Sequence, residues 1–509
     1  MRQSLTLGLA AALLPALGSA QAQNPLTFES TGNPILADGS VYTADPAPLV
    51  VNDTVYILAG RDEADEQTNS FVMNEWELYE AKNPKPSGGS WTLHRNIGEP
   101  QDIFSWAQEG GAYASQIVQG KDGKFYLYVS VRENSNAADP FSVGVAVADD
   151  PVGPYKDAHP KGPIISQSVP ISNDIQNIDP TVMVDDDGKV YIYWGTFGQL
   201  RGYELDSDMI TIKGDVVNVD TLDGFFEAAW LSKRKDTYYL FYAANNAGPD
   251  SPCTPTSYHA CIAWGSSSSP LGPWKFGGVV LGIVSSTTSH PGFYELDGQW
   301  YIVYHTADAK DGGHFRRSVA FDALEWDDTA SPAAPVKVKQ TKRPAAAAKP
   351  TRNIAPKAEA SSENETPIQY WIAALNDGRI KETPLPPDYW SSYNGEQSPE
   401  TSVLTYTWDS AVKLNGVAVS FFSDQPAGSN IGIPPPASWS AEYINASGTW
   451  TKVAAKGAYP TEPSTEPKEV SFDTVSTKGL RITIKASGKS GQFGGVAVHE
   501  WFAYAPEAQ

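Results

Sequence analysis

The stretch Asp179-Pro180-Thr181-Val182-Met183-Val184-Asp185-Asp186-Asp187-Gly188-Lys189-Val190-Tyr191-Ile192-Tyr193-Trp194 decides how the rest of the chain is read. It opens on Asp-Pro, runs through a short apolar strand, turns at Asp187-Gly188 and returns through an aromatic-rich strand. Glycine tolerates positive φ, so Asp-Gly between two apolar runs signals a β-hairpin. The pattern recurs at Asp45-Pro46 to Leu58, Ala114 to Val129, Glu227-Ala228 to Tyr242 and His290-Pro291 to Tyr304. Asp122-Gly123 and Asp297-Gly298 supply the same turn in two of these. The second strands align on Tyr56, Tyr126, Tyr191, Tyr239 and Tyr301, with spacings of 70, 65, 48 and 62 residues. Multi-strand repeats of roughly 40–50 residues, here lengthened by insertions, mark propeller blades. Further strand-like runs, such as Phe141 to Ala148 and Ala260 to Ser266, lie between the hairpins. Two such runs lead into turns of one type, Pro151-Val152-Gly153-Pro154-Tyr155 and Pro270-Leu271-Gly272-Pro273-Trp274. No long amphipathic helix interrupts them. The expected fold class is all-β, a five-bladed β-propeller followed by a β-sandwich.

The flanking segments divide the 509 residues further. Arg2, the apolar run Leu5 to Leu17 and the small-x-small signal Ala20-Gln21-Ala22 read as a secretory signal peptide over residues 1–22. The apolar run is too short to span a bilayer, and the expected location is secreted or periplasmic. The propeller is assigned to 23–328 and a Pro/Ala/Lys linker to 329–352. That linker holds Pro332-Ala333-Ala334-Pro335, Lys342-Arg343-Pro344 and Ala345 to Ala348, with Val336 to Val338 as a last strand able to close the propeller. Strand-like alternation resumes over 353–509, as in Leu414 to Phe422 and Leu480 to Lys485, and reads as an all-β sandwich. A net charge of −22 disfavours nucleic acid and anionic membrane surfaces but suits a neutral polysaccharide. The 15 Trp, 24 Tyr and 18 Phe serve either a β-rich core or sugar stacking. Cys253 and Cys261 are expected to form a disulfide in an oxidising compartment. The sequence leaves the oligomeric state open.

The repeat is also a ruler for chemistry. Asp45 lies 11 residues before Tyr56, Asp179 12 before Tyr191, Glu227 12 before Tyr239 and His290 11 before Tyr301, while Ala114 lies 12 before Tyr126. The one-residue differences fit variation in turn length. Inner strands of a propeller line one channel, so these positions form a ring at one mouth. Gathered carboxylates repel each other, and burial raises their pKa as well, so such a cluster needs a reason. Two carboxyl groups across a pocket are what glycosidic bond cleavage requires: one protonates the leaving oxygen, the other attacks the sugar or activates water. A third can tune and orient the acid.

The motifs Ala44-Asp45-Pro46, Asn177-Ile178-Asp179-Pro180-Thr181, Phe225-Phe226-Glu227-Ala228, Ser289-His290-Pro291-Gly292 and His314-Phe315-Arg316-Arg317-Ser318 carry a further reading. With Ser269 to Trp274, they make the stretch from Asn33 to Asp328 resemble glycoside hydrolase family 43. The resemblance implies an inverting mechanism, with Asp45 as general base, Glu227 as general acid and Asp179 as the carboxylate that tunes the acid's pKa. Base and acid should then stand roughly 6.5–9.5 Å apart to admit water. His290 matches a histidine beside a channel calcium, and Arg316 or Arg317 an arginine that reaches the sugar. Trp106 is a candidate stacking platform for the terminal sugar, with core packing as the competing reading. Asp62-Glu63 also look like family residues and receive no role. Asp185-Asp186-Asp187-Gly188 reads as a solvated turn, since the spaced ligands of a calcium loop are absent.

The C-terminal region resembles the discoidin-like, galactose-binding-like sandwiches of carbohydrate enzymes, through Asn353-Ile354-Ala355, Ala374 to Gly378 and Tyr389 to Tyr393. That resemblance implies a structural calcium near Asp377, in the Asn376-Asp377-Gly378 loop. Trp371, Trp390, Tyr393 and Trp439 are candidate sugar platforms, most of them expected in the core. The expected function is exo-hydrolysis of terminal α-L-arabinofuranose, β-D-xylose or both from plant cell-wall polysaccharide, without an organic cofactor. The alternatives are a β-xylosidase only, an endo-arabinanase and a non-catalytic carbohydrate-binding propeller. A fructan-cleaving five-bladed hydrolase is disfavoured because its Trp-Met-Asn-Asp-Pro motif is absent.

Overall fold

The computed structural model describes residues 25–244, 251–254, 256, 259–343, 351–367, 369–380, 388–395, 397–424, 433–488 and 494–508. The expected signal peptide and the run Ala345 to Ala348 lie outside the described residues.

Each predicted hairpin forms the inner half of an antiparallel sheet. Blade 1 holds Tyr42–Val51, Thr54–Asp62, Trp76–Lys82 and Gly89–Gly98, with Leu26–Ser30 added along its outer edge. Blade 2 holds Ser115–Gln119, Phe125–Arg132, Phe141–Ala148 and Lys156–Asp157. Blade 3 holds Thr181–Val184, Val190–Trp194, Leu200–Leu205 and Ile212–Val219. Blade 4 holds Phe225–Arg234, Thr237–Ala244, Cys261–Ser267 and Lys275–Leu281. Blade 5 holds Gly292–Leu296, Gln299–Thr306 and Ser318–Leu324. The innermost strands touch in a closed ring, blade 5 meeting blade 1.

A blade sheet is apolar on both faces and is stable only when neighbours cover it. Blades 1 and 5 share a buried cluster that includes Ile57, Tyr79, Trp91, Val303 and Phe321. Blades 2 and 3 share one built on Tyr128, Val145, Ile192 and Trp194, and blades 3 and 4 another on Tyr193, Leu240 and Trp274. The aromatic second strands read from the sequence are thus mostly inter-blade core.

The ring is stitched by the N-terminal segment. Ile35 N–H donates to Val319 O, and Asn33 bonds both the N–H and the carbonyl of Phe321 in blade 5's outer strand. Val336 to Val338 does not close it. Val338 bridges Leu281 on the outer edge of blade 4, because the edge it would have covered is already taken by residues 33–35. Cys253 and Cys261 form the expected disulfide.

The C-terminal strands form one seven-stranded assembly, with Thr401–Phe422 and Val470–Lys485 at its centre, consistent with a β-sandwich. Trp390 and Trp439 are buried in its core and therefore present no face to a sugar. Trp371 lies edge-on to His259 of the propeller at 5.2 Å. There the two parts dock: Thr366 N–H donates to Thr256 O at 2.7 Å, Tyr370 O bonds His259 Nε2, and Arg379 Nη1 donates to Gly312 O at 2.8 Å.

Candidate active site

Hairpin register fixes what each blade offers the channel. Leu49, Val118, Met183, Ser232 and Tyr294 face the five aligned tyrosines across their hairpins. Counting back four residues from each gives Asp45, Ala114, Asp179, Ala228 and His290. Asp45, Asp179 and Ala228 share a left-handed backbone, with φ of 55°, 57° and 57°. Side chains with a Cβ seldom adopt that region, and it costs energy wherever it persists. Glu227 is therefore one residue out of step with Asp45 and Asp179. The irregular pairing between Glu227 and Trp230 has a counterpart between Ala44 and Ala47 in blade 1, so this bulge is common to both blades and the acid simply occupies the position before the left-handed residue.

These residues do converge. Asp45, Ala114, Asp179, Glu227, His290 and Arg317 line one cavity of about 510 Å³, together with Phe71, Tyr113, Phe141, Phe315 and others. Asn69 and Phe71 come from the long insertion after the first hairpin, and Gln369 comes from the sandwich.

The carboxylates have different partners. Arg317 Nη1 donates to Asp45 Oδ1 at 2.9 Å. The same guanidinium donates twice to Asp62, from Nε and Nη2 at 2.9 Å each, and its Cζ lies 4.8 Å from the centre of the Phe71 ring. His305 Nδ1 accepts the Asp45 backbone N–H at 3.2 Å, and its Nε2 donates to Thr288 O at 2.8 Å. Burial alone would raise the Asp45 pKa, but the Arg317 guanidinium holds it well below the usual carboxylate range. Asp179 and Glu227 have no such cation. Glu227 is pushed up to about 7, chiefly by burial, against a 2.7 Å hydrogen bond from Thr196 Oγ1 that lowers it. Asp179 is raised well above the usual carboxylate range, by burial and by Glu227 beside it, although Ala228 N–H donates to its Oδ2 at 3.1 Å. Burial holds His290 neutral, its pKa lowered to about 4.

Two expected residues point elsewhere. Arg316 Nη1 pairs with Glu66 at 3.3 Å, and the guanidinium sits over Tyr42, outside the cavity. Arg316 closes a tight turn with Gly313 just before the blade 5 strand begins at Ser318, and of the two arginines only Arg317 enters the cavity. Trp106 is also absent from the lining. Its Nε1 donates to Asp157 at 3.0 Å and its ring packs on Phe104, which makes it part of blade 2's outer packing. Three contributors escaped the sequence reading: Asp62 as the anchor of Arg317, His305 behind Asp45, and Thr196 on Glu227. Asp62 carried a signal, since it stood out without a role. The other two had none, because neither lies at a repeat-equivalent position.

Residues 31–331 match Glycosyl hydrolases family 43. The xylosidase/arabinosidase of Bacteroides ovatus is 28% identical over 330 residues, covering 56% of this chain and 92% of that protein. The arabinoxylan arabinofuranohydrolase of Bacillus subtilis is 30% identical over 315 residues, 52% of this chain and 55% of the other. Among solved structures, a β-xylosidase/α-arabinofuranosidase from a compost microbial metagenome, in complex with xylotriose and calcium-free, superposes with a TM-score of 0.50. It is 25% identical and is matched over 62% of this chain and 98% of its own. With a family match over more than half its length and paired carboxylates in one cavity, this chain belongs to glycosyl hydrolase family 43 and is a glycoside hydrolase.

Proposed function

We propose that the protein is a secreted, inverting exo-glycosidase that removes terminal pentose, α-L-arabinofuranose, β-D-xylose or both, from hemicellulose or arabinan oligosaccharides. One observation carries this reading: the same cavity holds a carboxylate kept ionised by Arg317 and another whose pKa lies near 7. General base and general acid need those opposite states at one pH. Asp45 takes a proton from water as that water attacks the anomeric carbon. Glu227 gives its proton to the glycosidic oxygen as the C–O bond breaks. Asp179, buried beside Glu227 and raised by that neighbouring carboxyl, is the group that tunes and orients the acid. Walls from the blade 1 insertion and from Gln369 favour a pocket for chain ends over an open groove.

Secretion rests on the signal at residues 1–22. The sandwich is assigned carbohydrate contact, with the cell-wall polymer as partner. Among the described residues no group of three or more His, Cys, Asp or Glu is arranged to hold a metal. A channel calcium beside His290 fits only as a largely hydrated ion. The neutral imidazole, with Nδ1 3.9 Å from Asp45, would contribute a single nitrogen. When bound it would supply fixed positive charge near the base. In the sandwich, Glu500 Oε2 accepts Gly378 N–H at 3.1 Å, while its buried Oε1 makes no hydrogen bond. Burial, then Asp377 and Asp388, push its pKa up to about 9. The Glu500 carboxyl, close to Asp377 and Asp388, fits a calcium ion that would displace its proton, the ion being completed by backbone and water oxygens.

The test is a sugar-release profile on arabinoxylan, arabinan and xylo-oligosaccharides, with the first-formed anomer followed by NMR. Release of single pentose units with inverted configuration is expected. Retention would overturn the assignment of base and acid, and release of long fragments the exo assignment.

A further inference from the structure

Phe197 is the most exposed of the large apolar side chains, at 66%, among the described residues. Its φ of 51° lies in the left-handed region, which a bulky aromatic seldom occupies. Both features are unfavourable, and Gly or Asn would avoid both. The residue also lines the catalytic cavity, and it meets the fold mainly edge-on, 5.5 Å from Phe226 at 90°.

The turn that carries it is pinned to the acids. Gly195 N–H donates to Ile178 O, immediately before Asp179, at 2.9 Å. Gly198 N–H donates to Phe226 O, immediately before Glu227, at 3.1 Å. Thr196 bonds the Glu227 carboxylate itself. Phe197 is thus held one residue from the group that bonds Glu227. A side chain held there is on the acid's side of the cavity, the side where the leaving group departs.

We infer that Phe197 is the stacking platform for the sugar on the leaving side of the cleaved bond, a xylosyl ring whose C–H face packs on the phenyl. This rests on the pentosidase reading above and adds which residue selects the leaving group. An aromatic face recognises a pyranose through its apolar C–H surface, and local strain is retained where binding benefits from it. Phe197 itself handles no proton.

The test compares kcat/KM for two substrates of the same terminal pentose, one with a xylobiosyl and one with a methyl leaving group. Their ratio in Phe197→Ala and Phe197→Asn should fall about tenfold from loss of one stacking contact. Phe197→Tyr should restore the ratio. Phe197→Asn suits the left-handed backbone, so its Tm should equal or exceed that of the wild type, which separates lost stacking from lost folding. A ratio unchanged in all three variants overturns the platform and leaves the pentosidase reading standing. A wild type that turns over neither substrate, nor any nitrophenyl pentoside, overturns that reading and the platform with it.

Discussion

The two walls of the cavity use the same kind of group and hold it in opposite states. On one wall Asp45 meets Arg317 and His305; on the other Asp179 and Glu227 meet hydroxyl and amide donors but no cation. Asp45 and Asp179 are buried and Glu227 is half-buried, and desolvation raises each one. A single guanidinium reverses the outcome on one side. The acid and the base therefore differ through the placement of one charge, itself held by Asp62 from the neighbouring strand of blade 1.

The largest effect should come from removing either carboxyl. Glu227→Ala and Asp45→Ala should each lower kcat by about 10²–10⁴-fold on oligosaccharides. Only Glu227→Ala should recover on a nitrophenyl leaving group, which needs no proton. Equal recovery of the two variants would erase the distinction between the walls.

Next is Arg317→Met, which makes the first wall resemble the second. Without the cation, burial should raise the Asp45 pKa. A base works only when ionised, so activity should fail at a higher pH on the acidic side of the kcat/KM profile. A shift of at least about one pH unit is expected, equivalent to about 1.4 kcal/mol. An unmoved acidic limb would show that Arg317 does not set the state of Asp45.

Thr196→Val acts on the other wall and should be milder. Its hydroxyl lowers the Glu227 pKa, so its loss should move that pKa above about 7. The acid works only when protonated, so the alkaline limb should move upward by a few tenths of a pH unit. Movement in the opposite direction would contradict the hydrogen bond as described.

The smallest expected effect lies outside the cavity. Glu500 is a third case of a buried carboxyl without a cation. Its folded pKa is raised, so its contribution to stability is complete below the unfolded value near 4.5 and is lost as pH rises through about 9. In a chelator, Glu500→Gln should flatten that decline and raise Tm at pH 8 by about 2–4 °C. With calcium the order should reverse, wild type gaining Tm and the variant not. A wild-type Tm indifferent to calcium would remove the ion from that loop.

Much of this was legible in the chain. The hairpin period located the five inner strands, and the positions of Asp45, Asp179, Glu227 and His290 within them placed all four at one mouth. Those signals are local: turn chemistry, alternation and spacing all act over a dozen residues. The offset of Glu227 was not legible, because the blade 4 hairpin is one residue shorter than that of blade 3, so Asp179 and Glu227 both count 12 residues back from their aligned tyrosines.

What only the tertiary structure decided is which charge meets which. Arg317 reaches Asp45 across 272 positions and Asp62 across 255, and nothing near Arg316 or Arg317 in the sequence distinguishes them. Trp106 fell the same way, since composition reports an aromatic ring but not which face of a blade it covers. The sequence by itself determined the number of blades and the acids they carry. Ring closure then set their partners and their protonation, because electrostatic energy depends on distance and burial, which exist only once distant strands have packed.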